Sequence, residues 1–335
     1  MTAATLTPVA TIPTTQAVLP ASSVSRTLRT GRGGPVRLGD LLLHVSGFET
    51  RRAGESFASP PRTVGHVGLV AAGGGRGLAA VGPEQAVAVA LRDRDDPAPA
   101  DAARGKVVFC NARGDSLVFQ ADQQYTTAAL CACGNATGAA AAVQARLMGR
   151  RHLGQAVKLP DGWVEASASV SRTAEGTWRV EQAWCGVQLH AEQARLGGRD
   201  VAVCTGTFNE YLIVRLPDRA ALDSFGLDDA LHLWQEGRRF SCFADPLRSR
   251  LAAVAPAGGR AAVKFYTCGR AHPGAPLTGL AVLAVAARKI AWLASLTAAS
   301  EVENRRGVDV LPAARATSRG AEVRFPTIDV TLRGV

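Results

Sequence analysis

Hydrophobic positions along this chain fall into short alternating runs, and twice into a long run with no polar face. Short β-like runs predict strands at Arg37–Val45, Val64–Ala71, Ala86–Leu91, Lys106–Cys110 and Ser116–Gln120. Turn signals separate them, among them Gly73-Gly74-Gly75 and the charged, proline-broken stretch Asp93–Asp101. A helix is then predicted over Gly134–Met148, rich in Ala, opened by small residues and closed by Gly149. The same order follows again. Strands are predicted at Trp163–Ser171, Trp178–Ala183, Gly186–His190, Val201–Val203 and Glu210–Leu216, then a short helix over Arg219–Leu233. Further strands fall around Phe240–Phe243, Arg250–Val254 and Ala261–Thr267, before a strongly apolar helix over Leu277–Leu296. A hairpin-like pair, Ala321–Phe325 and Ile328–Leu332, ends the pattern.

A helix that is apolar on every side must be buried on every side. The fold expected is therefore α/β (α+β), with two pseudo-symmetric domains. Each is a curved mixed or antiparallel sheet, or partial barrel, wrapped around one central buried helix. Residues 1–28, rich in Thr, Pro, Ala and Ser, read as a disordered tail. The domains are then expected over 29–157 and 158–335, with the last strand able to return to the first. The two helix starts are alike, Cys133-Gly134-Asn135-Ala136-Thr137-Gly138 against Pro276-Leu277-Thr278-Gly279-Leu280. An internal duplication of about 140 residues accounts for this.

Composition narrows the class. No run of eighteen apolar residues occurs, so no membrane span is expected. Met1–Pro20 lacks the basic start and compact apolar block of a secretory signal, which makes the cytoplasm the expected compartment. The net charge of +10 raises nucleic acid as a partner. The arginines are scattered, however, only four of the 38 basic residues are lysines, and no aromatic-rich basic motif accompanies them. An anionic small molecule is the expected partner instead, with the chain a monomer or homodimer. Seven cysteines, an odd number, argue against a disulfide framework, and no Cys or His spacing fits a metal site.

One thiol stands out. A cysteine at a helix start sits among N–H groups with no intrahelical acceptor and at the positive end of the macrodipole, which favours the thiolate. Cys133 is so placed, and Gly134 beside it lets a carboxylate approach the backbone. Cys131, two residues earlier, reads as a small buried residue.

Cys133-Gly134-Asn135 resembles one of the two catalytic segments of diaminopimelate epimerase-like proteins. In those proteins each domain presents a Cys-Gly-(Asn or Thr)-Gly segment at the start of a buried helix, and two thiols face each other across a cleft. Val203–Leu222, with Gly206-Thr207-Phe208-Asn209 before a strand, is similar in layout to the family's Gly-Asn-Pro-His region. A Gly-rich turn at Gly269–Gly274 and Thr278-Gly279 at the last helix follow in the family's order. The resemblance spans residues 100–300 and rests on order and spacing. It implies cofactor-free proton transfer with Cys133 as general base. It also implies a substrate held by Gly134, Asn135, Asn209, Thr278 and Gly279, with Arg270 as a carboxylate clamp.

The second half departs from the pattern. Depending on alignment, Gly274 or Pro276 stands opposite Cys133, and Cys268-Gly269-Arg270-Ala271-His272-Pro273 lacks the family's acidic residue for a substrate amino group. A one-thiol layout resembles the 2-methylaconitate isomerase branch, which moves a proton along an allylic carboxylate with one cysteine and one lysine. That lysine stands in a short motif before a strand, and Val64-Gly65-His66-Val67-Gly68 is the match here, placing His66 in its position. His66 and His272 are thus the two candidates for the second acid/base. The function expected is a cofactor-independent isomerase or tautomerase acting on a carboxylated small molecule. The alternatives are an amino-acid epimerase or racemase using Cys268 as second thiol, and a catalytically silent ligand-binding relative.

Overall fold

A computed structural model of the chain describes residues 34–38, 41–70, 77–92, 103–122, 124–238, 240, 249–267 and 270–333. The first sheet begins with β1 (Gly34–Leu38), β2 (Leu41–Arg52), β3 (Thr63–Val70), β4 (Ala103–Cys110), β5 (Asp115–Ala121) and β6 (Ala128–Leu130). It continues through β7 (His152–Leu159), β8 (Gly162–Arg172) and β9 (Trp178–Val187). Two helices interrupt this run, α1 (Pro83–Ala90) and α2 (Gly134–Met148). The second sheet comprises β10 (Leu189–Leu196), β11 (Arg199–Gly206), β12 (Tyr211–Arg215), β13 (Arg250–Ala257), β14 (Arg260–Thr267), β15 (Arg270–Ala271), β16 (Glu301–Asn304) and β17 (Gly307–Val310). Its helices are α3 (Arg219–Ser224), α4 (Leu227–Gly237), α5 (Leu277–Ala286) and α6 (Ala291–Leu296). Finally β18 (Ala313–Thr317), β19 (Gly320–Arg324) and β20 (Ile328–Arg333) rejoin the first sheet.

The last strand closes the first sheet. β20 runs antiparallel to both β2, with Gly47 opposite Arg333, and β9, with Val330 opposite Trp178. The path β2-β3-β4-β5-β7-β8-β9-β20 is thereby a closed ring around α2. Residues Gly134–Ala145 of α2 are all buried, and its run of alanines keeps the helix thin enough to be encircled. At Gly138 a Cβ would stand 2.5 Å from Ile328 Cδ1, so glycine is what lets β20 cross there. The second sheet is an open path that curves over α5, with β18 of the first sheet also beside the helix; all of α5 except Ala284 is buried. Helices α3 and α4 cover its outer face through a separate cluster including Leu212, Leu222, Leu233 and Leu251.

Several sequence expectations are corrected. Ala86–Leu91 is helical rather than extended: Pro83 sets the first turn, and Gln85 Oε1 accepts from Gly82 N–H at 2.9 Å. The final apolar helix is broken, α5 ending at Ala286 and α6 resuming at Ala291. Lys289 turns out of the break to donate from Nζ to the Leu189 carbonyl. The helix over Arg219–Leu233 is likewise two, with Gly226 as the N-cap of α4. β19 and β20 do not pair as a hairpin; both lie along β9, β19 at its Ala183–Val187 end. The first sheet keeps β7, β8 and β9, so the chain passes to the second sheet at residue 188. The expected tail, Cys268 and most of Phe240–Phe243 lie outside the described residues.

Two contacts fasten the sheets together. Trp184 of β9 stacks on Phe208 with centroids 5.6 Å apart, and Phe325 meets Trp184 edge-on at 5.4 Å. On the other side, Asp309 of β17 accepts from Arg52 Nε at 3.1 Å and Arg62 Nη1 at 2.8 Å, all three buried. Arg52 Nη2 also donates to the Ala275 carbonyl at 3.0 Å, just ahead of α5. Removing one partner of a buried pair strands the others. Asp309→Ala should therefore cost about 3–5 kcal/mol of stability by urea unfolding. A loss below about 1 kcal/mol, the usual worth of an exposed pair, would show that the cluster does not hold the sheets.

Candidate active site

Because each buried helix begins where its sheet faces the other, the starts of α2 and α5 meet. A Cβ on Gly134 would lie 3.1 Å from Leu277 Cβ. Cys133 is the N-cap of α2 and Pro276 the N-cap of α5, and neither side chain caps its helix. This settles the alignment at the second helix: Pro276 is the counterpart of Cys133. Between the two starts lies a small cavity of ≈ 30 Å³.

Both sheets line it. From the first come Thr63, Lys106, Gln120, Cys133, Gly134 and Asn135. From the second come Asn209, Tyr211, Arg250, Arg270, His272 and Thr278, among others. Among the described cysteines Cys133 alone reaches the wall, and it is 8% exposed. Asn135 Nδ2 donates to Thr63 Oγ1 at 2.8 Å, and Asn209 Nδ2 to the Ala132 carbonyl at 3.2 Å. The second bond ties the segment before β12 to the residue preceding Cys133.

Strand register explains who faces inward. Thr63 lines the cavity and Val67 packs in the core with α2, so the two-residue period turns His66 to the outer face of β3. On β4, paired in parallel with β3, Lys106 stands opposite Gly65 and Val107 opposite His66. Lys106 thus points inward, and its Nζ lies 3.9 Å from Cys131 Sγ. The basic side chain that reaches the cavity from these strands is Lys106, one strand away from His66. In the second sheet Tyr211 pairs with Arg250, and Arg250 with Thr267, placing all three on the inner face.

Gly279 does not line the cavity. A Cβ there would come within 2.6 Å of Phe265 Cε1, so its role is to let α5 seat against that ring. Lys106, Arg250 and Tyr211 were not singled out from the sequence. The available signal was a charged residue opening an otherwise apolar strand, as in Lys106-Val107-Val108-Phe109 and Arg250-Leu251-Ala252-Ala253.

The cavity is electropositive. Lys106, Arg250 and Arg270 line it, and no Asp or Glu is among its described lining residues. His272 reports this field: burial, then the charges of Lys106, Arg270 and Arg250, push its pKa down to about 3, against a hydrogen bond with the Gly274 backbone. Its Nδ1 is 2.7 Å from the Gly274 carbonyl and 3.3 Å from the Gly274 N–H, so either neutral tautomer finds a backbone partner there. Neutral His272 is not an imidazolium acid. Burial raises the Tyr211 phenol to about 12, keeping it a hydrogen-bond donor, and it is bonded to Thr278 in the first turn of α5.

No family model matches the chain, and no curated protein matches it in sequence. Among solved structures it is similar to a predicted epimerase from Pseudomonas aeruginosa, at 12% identity and TM-score 0.50, over 87% of this chain and 98% of that one. It is also similar to a probable proline racemase from Agrobacterium radiobacter K84, at 13% identity and TM-score 0.49, over 87% and 91%. A PhzF-family phenazine biosynthesis protein from Bacillus anthracis shares 9% identity at TM-score 0.47, over 87% and 99%. At these identities the likeness is one of fold. The chain has the epimerase-like architecture of two sheets, each around a buried helix.

The His272 shift has a measurable sign. Between about pH 3 and 6.5 the unfolded chain binds a proton at this position and the folded chain does not. The contribution of His272 to stability is therefore complete above pH 6.5 or so and is lost as pH falls toward about 3. His272→Gln should flatten that part of the stability curve, followed by urea unfolding across the range. An unchanged slope would mean that His272 titrates normally.

Proposed function

We propose that this protein is a cofactor-independent isomerase that shifts a proton between carbons of a small carboxylic acid, with Cys133 as base and Lys106 as the group that returns the proton. The observation carrying this reading is the Cys133 thiol on the wall of an electropositive cavity, at the N-cap of a buried helix. A carboxylate seated at the α2 start would meet the N–H groups of the first turn beside Gly134. Cys133 Sγ removes a proton from the adjacent carbon, and the electron pair delocalises into the carboxylate. The same N–H groups, with the Tyr211–Thr278 pair across the cavity, receive the negative charge that develops. A proton from Lys106 Nζ then completes the shift at a second carbon, and a proton exchanged from Cys133 to Lys106 restores both groups.

The asymmetry of the site supports this reaction over inversion. Inversion at one carbon needs proton carriers on opposite faces, and the counterpart of Cys133 is Pro276, which carries none. Cys133 and Lys106 both come from the first sheet. An amino-acid substrate would also bring an ammonium group, for which the described lining residues offer no carboxylate. One cysteine with one lysine is the layout of the 2-methylaconitate isomerase branch, which supports the same reading.

Proton NMR in D₂O, following deuterium entry into unsaturated carboxylic acids, tests the proposal. Cys133→Ser and Lys106→Met should each slow exchange by about 10²–10⁴-fold while the fold is retained. Full exchange by Cys133→Ser would exclude the thiol as base.

A further inference from the structure

Gln182 is a polar side chain in a place that calls for an apolar one. It lies on the inner face of β9 between Val180 and Trp184, both fully buried, and is itself 4% exposed. Burying an amide is costly unless hydrogen bonds offset it, and both ends of this one turn to the first turn of α2. Its Nε2 donates to the Gly134 carbonyl at 2.6 Å, and its Oε1 lies 3.2 Å from Thr137 Oγ1. The Thr137 hydroxyl is also 3.0 Å from the Cys133 carbonyl and 3.1 Å from that of Gly134. It has one proton to share among these three acceptors, so Gln182 supplies the second donor.

The carbonyls so bonded belong to peptide units whose other ends lie at the cavity. The Cys133 carbonyl shares its unit with the Gly134 N–H, and the Gly134 carbonyl shares its unit with the Asn135 N–H. These are the first N–H groups of α2, which have no intrahelical acceptor, and both residues line the cavity with Cys133. A donor on a carbonyl polarises its peptide unit and strengthens the N–H at the other end, by roughly 10–30% per bond. Gln182 is itself held from behind. On β9, β20 pairs only as far as Val180 and β19 pairs from Ala183, and between them the Gln182 carbonyl accepts from Phe325 N–H at 3.0 Å.

We infer that Gln182 is a positioning residue for Cys133: together with Thr137 it holds and polarises the first two peptide units of α2, which makes the thiol beside them more reactive. This effect on the thiol is independent of the isomerase reading; any effect on turnover rests on that reading. A glutamine that only held the fold would have the opposite signature. Cys133 is 8% exposed, so a loosened first turn would open the thiol to reagents and speed its modification. Loss of polarisation leaves the thiol as buried as before and a poorer nucleophile, because the thiolate is the reacting form. The sign of the change in rate separates the two roles.

Iodoacetamide labelling of the full native chain at neutral pH, with the Cys133 peptide quantified by mass spectrometry, provides the test. Gln182→Met, which nearly keeps the length and volume of the side chain, should slow labelling of Cys133 by about three- to tenfold, the worth of one hydrogen bond. Thr137→Val should slow it by a similar factor, and Thr137→Ser, which keeps the hydroxyl, should label at the wild-type rate. Unchanged or faster labelling of Cys133 in either folded variant would overturn the inference, and Thr137→Val decides alone should Gln182→Met fail to fold. If both variants label slowly while the wild-type chain exchanges no proton of any unsaturated acid in D₂O, the isomerase reading fails and the role of Gln182 stands. If the wild-type chain exchanges but the variants label as fast as it does, the isomerase reading stands and the role of Gln182 fails.

Discussion

Everything at this site follows from one constraint: two helices are each buried inside a sheet, and their N-termini are driven against each other. A helix start always leaves N–H groups without intrahelical acceptors. At the surface water satisfies them, but here the caps are Cys133 and Pro276, whose side chains make no capping bond. The positive ends of two macrodipoles therefore converge on a cavity already lined by three cationic side chains. Such a point is a poor place for a neutral core residue and a good one for an anion. The composition of the helices is a consequence of the same burial. α2 is built from Ala and Gly so that strands can pass close to it, and α5 carries glycine where Phe265 presses on it.

The convergence must be held against the repulsion it creates. The Trp184–Phe208–Phe325 contacts join the sheets with apolar area, which is indifferent to charge. The Asp309 cluster does the opposite job. One carboxylate gathers Arg52 and Arg62 from the first sheet, and Asn304 donates to it from the adjoining strand at 2.9 Å. Arg62 also donates to Glu55, and the next residue, Thr63, holds Asn135 in the first turn of α2. The ionic clamp and the cavity wall are thus consecutive residues of one strand entry, so a slip in the clamp would be felt in the site.

Much of this architecture was legible because it depends on periodicity. A helix with no polar face can only be interior, and that alone gives two wrapped helices and makes Cys133 an N-cap. What escaped depends on pairing between distant segments. Ala86–Leu91 is a short apolar run that strand and helix can share, and Pro83 with Gln85 decides for helix. β20 reads as one arm of a hairpin, yet its partner β2 lies almost three hundred residues earlier in the chain, as the pairing of Gly47 with Arg333 shows. His66 and Lys106 exchange importance for the same reason. The motif around His66 is suggestive in one dimension, but the pleat of β3 faces it outward, and parallel pairing with β4 brings Lys106 in. Arg250 was hidden by distance too, since its significance comes from Tyr211 beside it.

Two halves built on the same plan can differ in chemistry while remaining alike in fold. The N-cap asks little of its side chain for stability when the helix is buried on all sides, so the position opposite Cys133 is free to change. Proline there keeps an extended backbone, with φ −68° and ψ 142°, and α5 starts normally behind it. What is lost at the cap is a thiol; among the described residues of that wall stand the Tyr211 hydroxyl, Arg250, Arg270, Thr278 and the neutral ring of His272. In the proposed reaction the labour is divided accordingly. The first sheet supplies Cys133 and Lys106, which move a proton, and the second supplies the field that makes the intermediate bearable. A single pair of proton carriers on one wall can move a hydrogen along a flat conjugated acid but cannot deliver it to the opposite face. In the proposed reaction, proline in place of a thiol at that cap is what favours a double-bond shift over inversion.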